Sequence, residues 1–169
     1  LIDLVKLANP DPSPQNLDLL LSCGEIISAV ILAETIRQMG YQALAFTGWQ
    51  AGILTDQSFG SARILSVDPE PLKKTASQGI ISVVAGFQGW SSSGSITTLG
   101  RGGSDITAVA LGAALDCETV EIYTDVDGVK TADPRLVPEA PTISSLTYSE
   151  VIELAHLGAK VVHPRAVEI

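Results

Sequence analysis

The 169-residue sequence carries 19 acidic and 10 basic side chains, a net charge of −9, 46% hydrophobic residues and a mean hydropathy of +0.31. That length suits one α/β domain with a sizeable core, and the acidic balance excludes a general nucleic-acid binder, whose affinity leans on clustered Lys and Arg. No uninterrupted apolar run approaches the ~18 residues of a membrane span, the two cysteines make no disulfide framework, and no basic flank with an apolar core opens the chain, so a soluble cytoplasmic protein without a membrane partner is expected.

"LIDLVKLA" reads as the amphipathic end of a helix, and a gene product beginning upstream of Leu1 is expected. Residues 17–39 repeat Leu, Ile and Ala at three- and four-residue spacing, with Gly40 as a stop. They predict a helix, with an interruption at Ser22 to Glu25. Residues 41–48 predict a short strand, "ARILSV" another, "EPLKKTASQ" a helix, and the β-branched "GIISVVAGF" (79–87) a buried strand. Farther on, residues 104–115 suit a helix with Ser104 as N-cap, and 119–125 ("TVEIYTD") suit another buried strand. Pro134, Pro138 and Pro141 hold a loop extended, and residues 148–159 close with a helix. Strands alternating with helices predict a mainly parallel sheet covered by helices.

"TTLGRGGSDITAVALGAA" (97–114) concentrates glycine around one arginine and one aspartate. It is neither a GxxxxGK[ST] nor a GxGxxG motif. A glycine turn entering a helix offers unpaired N–H groups and a positive dipole end to an anion, and Arg101 adds a fork suited to a carboxylate or phosphate. The plain alternative is that Ala108, Ala110 and Gly112 let the helix lie close to the sheet, with Asp105 a helix-stabilising first-turn acid. A second cluster, "YTDVDGVKTADPR" (123–135), sets Thr124 and Asp125 at the end of the predicted strand, where open α/β sheets bind ligands.

Taken together, "TTLGRGGSD", "EIYTDVDGV", "TADPRLVPEA" and "LGAKVVHPRAVE", with "LLSCGE", "TGWQAGI" and "VVAGFQG", closely resemble the catalytic domain of bacterial aspartate kinases, in the amino-acid kinase family. The resemblance covers nearly the whole chain. It implies a three-layer αβα sandwich, one half of the site holding the amino acid and the other MgATP. Glu25 matches the glutamate that helps hold substrate aspartate, and Arg101, Gly102, Gly103 and Ser104 match the segment that binds it, Arg101 gripping a carboxylate. Asp105 matches an acid that orients a catalytic lysine, which makes Arg101 and Asp105 the candidate catalytic residues. On the nucleotide side the resemblance implies Thr124 and Asp125 at the adenine and ribose, Arg135 and Lys160 at the phosphates, and Lys130 and Val161 beside them. Lys130 stands where many relatives carry tyrosine, and Ile106 where threonine is common. For Lys160 the competing reading is a snorkelling surface lysine.

The implied reaction moves the γ-phosphoryl of ATP onto the β-carboxylate of L-aspartate. That carboxylate, with a pKa of about 3.9, is ionised at neutral pH and needs no general base. Mg²⁺ is expected to arrive with ATP, held by phosphates and water, without a protein metal ligand. His156 and His163 form no metal pair, and Cys23 and Cys117 read as small core residues. The resemblance further implies a lysine-bearing first strand and a Ser/Thr-rich segment before Leu1, regulatory ACT domains after Ile169, and a homo-oligomer in the full-length enzyme. The chain is therefore expected to be a partial catalytic domain. Two alternatives stand: an inactive fragment of that enzyme, and a relative acting on glutamate, acetylglutamate or uridylate.

Overall fold

The computed structural model describes residues 1–125, 128–133 and 135–156. In chain order they form α1 (Ile2–Ala8), α2 (Pro14–Gln38), β1 (Ala43–Phe46), β2 (Ile53–Thr55), β3 (Ile64–Val67), α3 (Glu70–Ser77), β4 (Ile81–Val84), β5 (Gln88–Ser91), β6 (Ile96–Thr98), α4 (Gly103–Ala114) and α5 (Tyr148–His156).

Strands β1 and β4 pair in parallel, and a second sheet runs β3-β2-β5-β6. Its long-range pairing, β2 with β5, is also parallel, while each antiparallel pairing joins sequence neighbours, β2 with β3 and β5 with β6. Helix α2 packs on β1, β4 and β6, α3 on β4, and α4 on β3 and β5. Two apolar clusters fill the interior, Ala62, Leu99 and Ile106 in one and Ala51, Ile53 and Leu72 in the other. Ile64 packs against both. Each fully buried Ile or Leu contributes roughly 1.5–3 kcal/mol.

The helix ends follow from their sequences. Ser13 caps α2 by accepting from the Asn16 amide at 3.3 Å, and Pro14 stands at its first position, where a missing N–H does no harm. At the other end the amides of Gly40 and Tyr41 donate to the carbonyls of Arg37 and Ile36, the paired bonds of a Schellman stop. The same pattern closes α4, except that Asp116, at φ +56°, takes the left-handed position glycine usually fills.

Helix α2 is continuous over all 25 residues, so the expected interruption at Ser22 to Glu25 does not occur. Ser22 and Cys23 return their side chains to the Leu19 carbonyl, which leaves the helix ladder intact. By length and composition α2 is apolar enough to cross a membrane, although Asp18 and Glu25 interrupt its apolar run. It nonetheless lies against the strands with Asp18, Ser22, Ala29 and Ala33 buried, and it exposes Leu19, Ile27, Val30, Ile31 and Leu32.

The expected strand at 119–125 is also absent: these residues are irregular and exposed, Tyr123 at 89%. Strand propensity needs a partner edge, and none among the described residues reaches it. Val120 packs instead over Gly112 of α4. Strand β4 stops at Val84 and is half-buried rather than buried, having β1 as its one neighbour among the described residues. Cys23 and Cys117, expected inside, are both exposed. The closing helix extends to His156 within the described residues.

Candidate active site

Strand β6 runs straight into the glycine turn. Gly100 and Gly102 adopt φ of +79° and +71°, a left-handed backbone that other residues adopt at a cost. The Gly103 amide closes the turn on the Gly100 carbonyl at 3.0 Å. Helix α4 therefore starts one residue earlier than expected, with Gly102 as N-cap, and Ser104 is not the cap. The cap offers no side-chain acceptor, so with the Gly103 amide spent on the turn, those of Ser104 and Asp105 remain available to an anion among the described residues.

Gly103 is required by close approach rather than by conformation. A Cβ there would stand 2.8 Å from the Phe87 ring and 3.1 Å from the Leu99 side chain. Phe87 itself has φ +66°, an uncommon conformation for a bulky residue. Tertiary bonds hold it: its amide donates to Thr107 Oγ1 at 3.1 Å, and its carbonyl accepts from the Leu99 amide at 2.9 Å. Such strain persists only where surroundings impose it. Behind it, Ser104 lies against Gly86, where a Cβ would be 3.3 Å from the serine Cα.

Arg101 is exposed, and no carboxylate among the described residues pairs with it. Asp105, half-buried, stands in the first turn of α4, where its charge favours the helix. Glu25 is half-buried on α2, one turn beyond Ser22, whose carbonyl accepts from the buried Gln88 side chain at 3.2 Å. Strand β5, carrying Gln88, thereby joins α2 near Glu25, and the adjacent Phe87 carries the glycine turn.

The second cluster is built differently. Thr124 and Asp125 are exposed, and among the described residues their side chains bond only each other, at 3.4 Å. Lys130 bridges to Thr142 through backbone and side chain. Arg135 grips Asp133 through Nε and Nη2, the shortest contact 2.8 Å, with the guanidinium side chain 85% exposed. This contact lowers the Asp133 pKa and raises that of Arg135. A phosphate would have to compete with Asp133 for that fork. No hydrogen bond among the described residues joins this cluster to Arg101–Asp105. Lys160 and Val161, with His163, lie outside the described residues.

Residues 3–169 match the amino acid kinase family. The chain belongs to that family. It is 53% identical over 168 residues to an aspartokinase of Bacillus sp. (strain MGA3), covering 99% of this chain and 41% of that protein. Among solved structures it resembles E. coli aspartokinase III in complex with aspartate and ADP, with a TM-score of 0.83 and 36% identity over 98% of this chain and 38% of that one. Synechocystis aspartate kinase gives a TM-score of 0.82 at 44% identity, over 99% of this chain and 27% of that one. The chain has the amino-acid kinase fold, α/β with helices packed on its strands, and spans about two fifths of the curated relatives it matches.

Three site-supporting residues escaped the sequence reading: Asp18, Phe87 and Thr98. A lone acid inside the apolar run "LDLLL", on the helix face shared with Ser22 and Glu25, was the available signal for the first.

Proposed function

We propose that this chain forms the amino-acid half, and part of the nucleotide half, of an aspartate kinase that transfers the γ-phosphoryl of ATP to the β-carboxylate of L-aspartate. The observation that carries the reading is the α4 N-terminus without a side-chain cap and, beside it, Arg101 with no carboxylate partner among the described residues, in a chain about half identical to aspartokinases. Arg101 would bind a substrate carboxylate as a bidentate fork, with the Gly102–Ser104 backbone approaching closely. Glu25 would meet the amino group, and Asp105 would orient a lysine supplied from outside this chain. Thr124 and Asp125 would line the nucleoside, with Lys130, Arg135, Lys160 and Val161 toward the phosphates. Mg²⁺ would travel with ATP, supplying charge neutralisation through phosphate and water ligands.

The nucleophile is already ionised at neutral pH, so rate would come from in-line positioning and from cations around the transferring group. We place the enzyme in the cytoplasm; the apolar outer face of α2 supports a homo-oligomer in its full length.

Hydroxylamine trapping of acyl phosphate with MgATP and L-aspartate tests this, using the 169-residue chain beside a form carrying its upstream segment. Hydroxamate from the longer form is expected. Because the chain spans 41% of its relatives, silence from the shorter form alone would mark it as a piece needing the rest of the enzyme. Silence from both with aspartate, and hydroxamate with glutamate or acetylglutamate, or uridine diphosphate formed from uridylate, would overturn the substrate assignment.

A further inference from the structure

Asp18 is 1% exposed within the apolar run "LDLLL" of α2, and its carboxyl group is fully engaged. Oδ2 accepts from the Thr98 amide at 2.7 Å and the Gly60 amide at 2.9 Å, and Oδ1 accepts from the Thr98 hydroxyl at 2.9 Å. Burying a carboxyl group is costly unless its oxygens are satisfied, so these three donors must stay in place for α2 to dock. Both anchored segments flank the glycine turn. Thr98 is the last residue of β6, two before Gly100, and the Gly60 carbonyl lies 3.0 Å from where a Gly100 Cβ would stand.

Seven residues along α2 from Asp18 comes Glu25, two turns farther at about 10 Å and on nearly the same face. One helix thus carries the residue assigned to the substrate amino group and the clamp on the turn bearing Arg101. We propose that Asp18 is a positioning residue that fixes the separation and orientation of Glu25 relative to Arg101, and so sets the fit for the amino-acid substrate. The proposal deepens the aspartate kinase reading and rests on it for the substrate.

Asparagine makes a discriminating substitution. Its Oδ1 can accept from both amides while Nδ2 donates to the Thr98 hydroxyl, which rotates to receive it. Asp18→Asn therefore preserves the clamp, whereas Asp18→Ala strands two amides and a hydroxyl. In the protein with its upstream segment, Asp18→Ala is expected to raise the aspartate KM about tenfold and the ATP KM less than about twofold. Asp18→Asn is expected to stay within about threefold of the unmodified protein, and Thr98→Val, which removes one donor, to fall between them. Equal rises in both KM values, a fall in kcat alone, or Asp18→Asn as damaging as Asp18→Ala would each overturn the proposal.

Hydrogen exchange reads the clamp without substrate. Thr98→Val is expected to speed exchange at positions 60, 98 and 103 while β1 and β4 stay protected, and Asp18→Asn is expected to leave exchange there nearly unchanged. Uniform acceleration, or none in Thr98→Val, would overturn it. If the unmodified protein makes no acyl phosphate from aspartate, the substrate reading falls and exchange alone decides whether the clamp exists.

Discussion

The turn at Leu99–Ser104 and the stretch from Thr124 to Arg135 are both polar, yet the first hangs on bonds between residues 42 and 80 positions apart, whereas among the described residues the second uses partners one to fourteen positions away. Long-range bonds place Arg101 relative to helices and strands distant in sequence. Local bonds shape only the segment that contains them. Substitutions near the first region should therefore act through geometry as well as contact, while those in the second should act through contact with a ligand.

The largest expected effect is at Arg101. Losing a charge-assisted bidentate contact costs about 1.5–3 kcal/mol, so Arg101→Ala should raise the aspartate KM by roughly ten- to a hundredfold and leave the ATP KM nearly unchanged. Steady-state kinetics on the protein with its upstream segment measures both. An unchanged aspartate KM would remove Arg101 from the substrate site and blur the contrast between the regions.

Lys160 should show the reverse bias. Its assignment comes from the family resemblance, and Lys160→Ala is expected to raise the ATP KM by about tenfold with little change for aspartate. An effect confined to aspartate would argue against a phosphate contact. Arg135→Ala should be milder, about two- to threefold on the ATP KM, because the guanidinium gives up its exposed pairing with Asp133 to reach a phosphate. A larger effect than that of Lys160→Ala would mean that Asp133 orients Arg135 for its ligand instead of competing for it.

The two regions also differ in how legible they were. Helix α2, β1, β3, α3 and β4 announced themselves by apolar spacing and β-branched runs, although α2 turns much of its apolar surface outward. Strands β5 and β6, which deliver the glycine turn, did not: "QGWS" and "ITT" bury polar side chains. Burial there depends on partners distant in sequence, such as the Thr55 and Thr97 hydroxyls 2.5 Å apart. The stretch at 119–125 failed in the opposite direction. Its residues have strand propensity, but propensity without a partner edge makes no strand. At the site, the glycines pointed to a sharp turn, and the turn is there. What was hidden was the support, since nothing in the local pattern tells that Phe87 takes a left-handed backbone or that Asp18 meets Thr98.

The smallest effect belongs to α5, and it tests whether the local bonding seen from Thr124 to Arg135 continues through residue 156. Thr147 and Glu150 form a capping box: the Glu150 carboxylate accepts from the Thr147 amide at 2.7 Å and hydroxyl at 2.8 Å, and the Glu150 amide donates back to Thr147 Oγ1 at 3.3 Å. The bond from the Thr147 amide, then that from its hydroxyl, lowers the Glu150 pKa below the ordinary 4.5. A carboxyl group depressed in the folded state stabilises it above the unfolded pKa, and that contribution disappears as pH falls through the folded value. The cap should thus be constant from neutral pH down to about 5 and weaken below it. Followed by NMR, the Thr147 amide should titrate with a midpoint below 4.5, and Thr147→Ala, which removes the hydroxyl donor, should move the Glu150 midpoint upward. A midpoint at or above 4.5 would mean the box is open in solution, and α5 would then need support from beyond its own first turn.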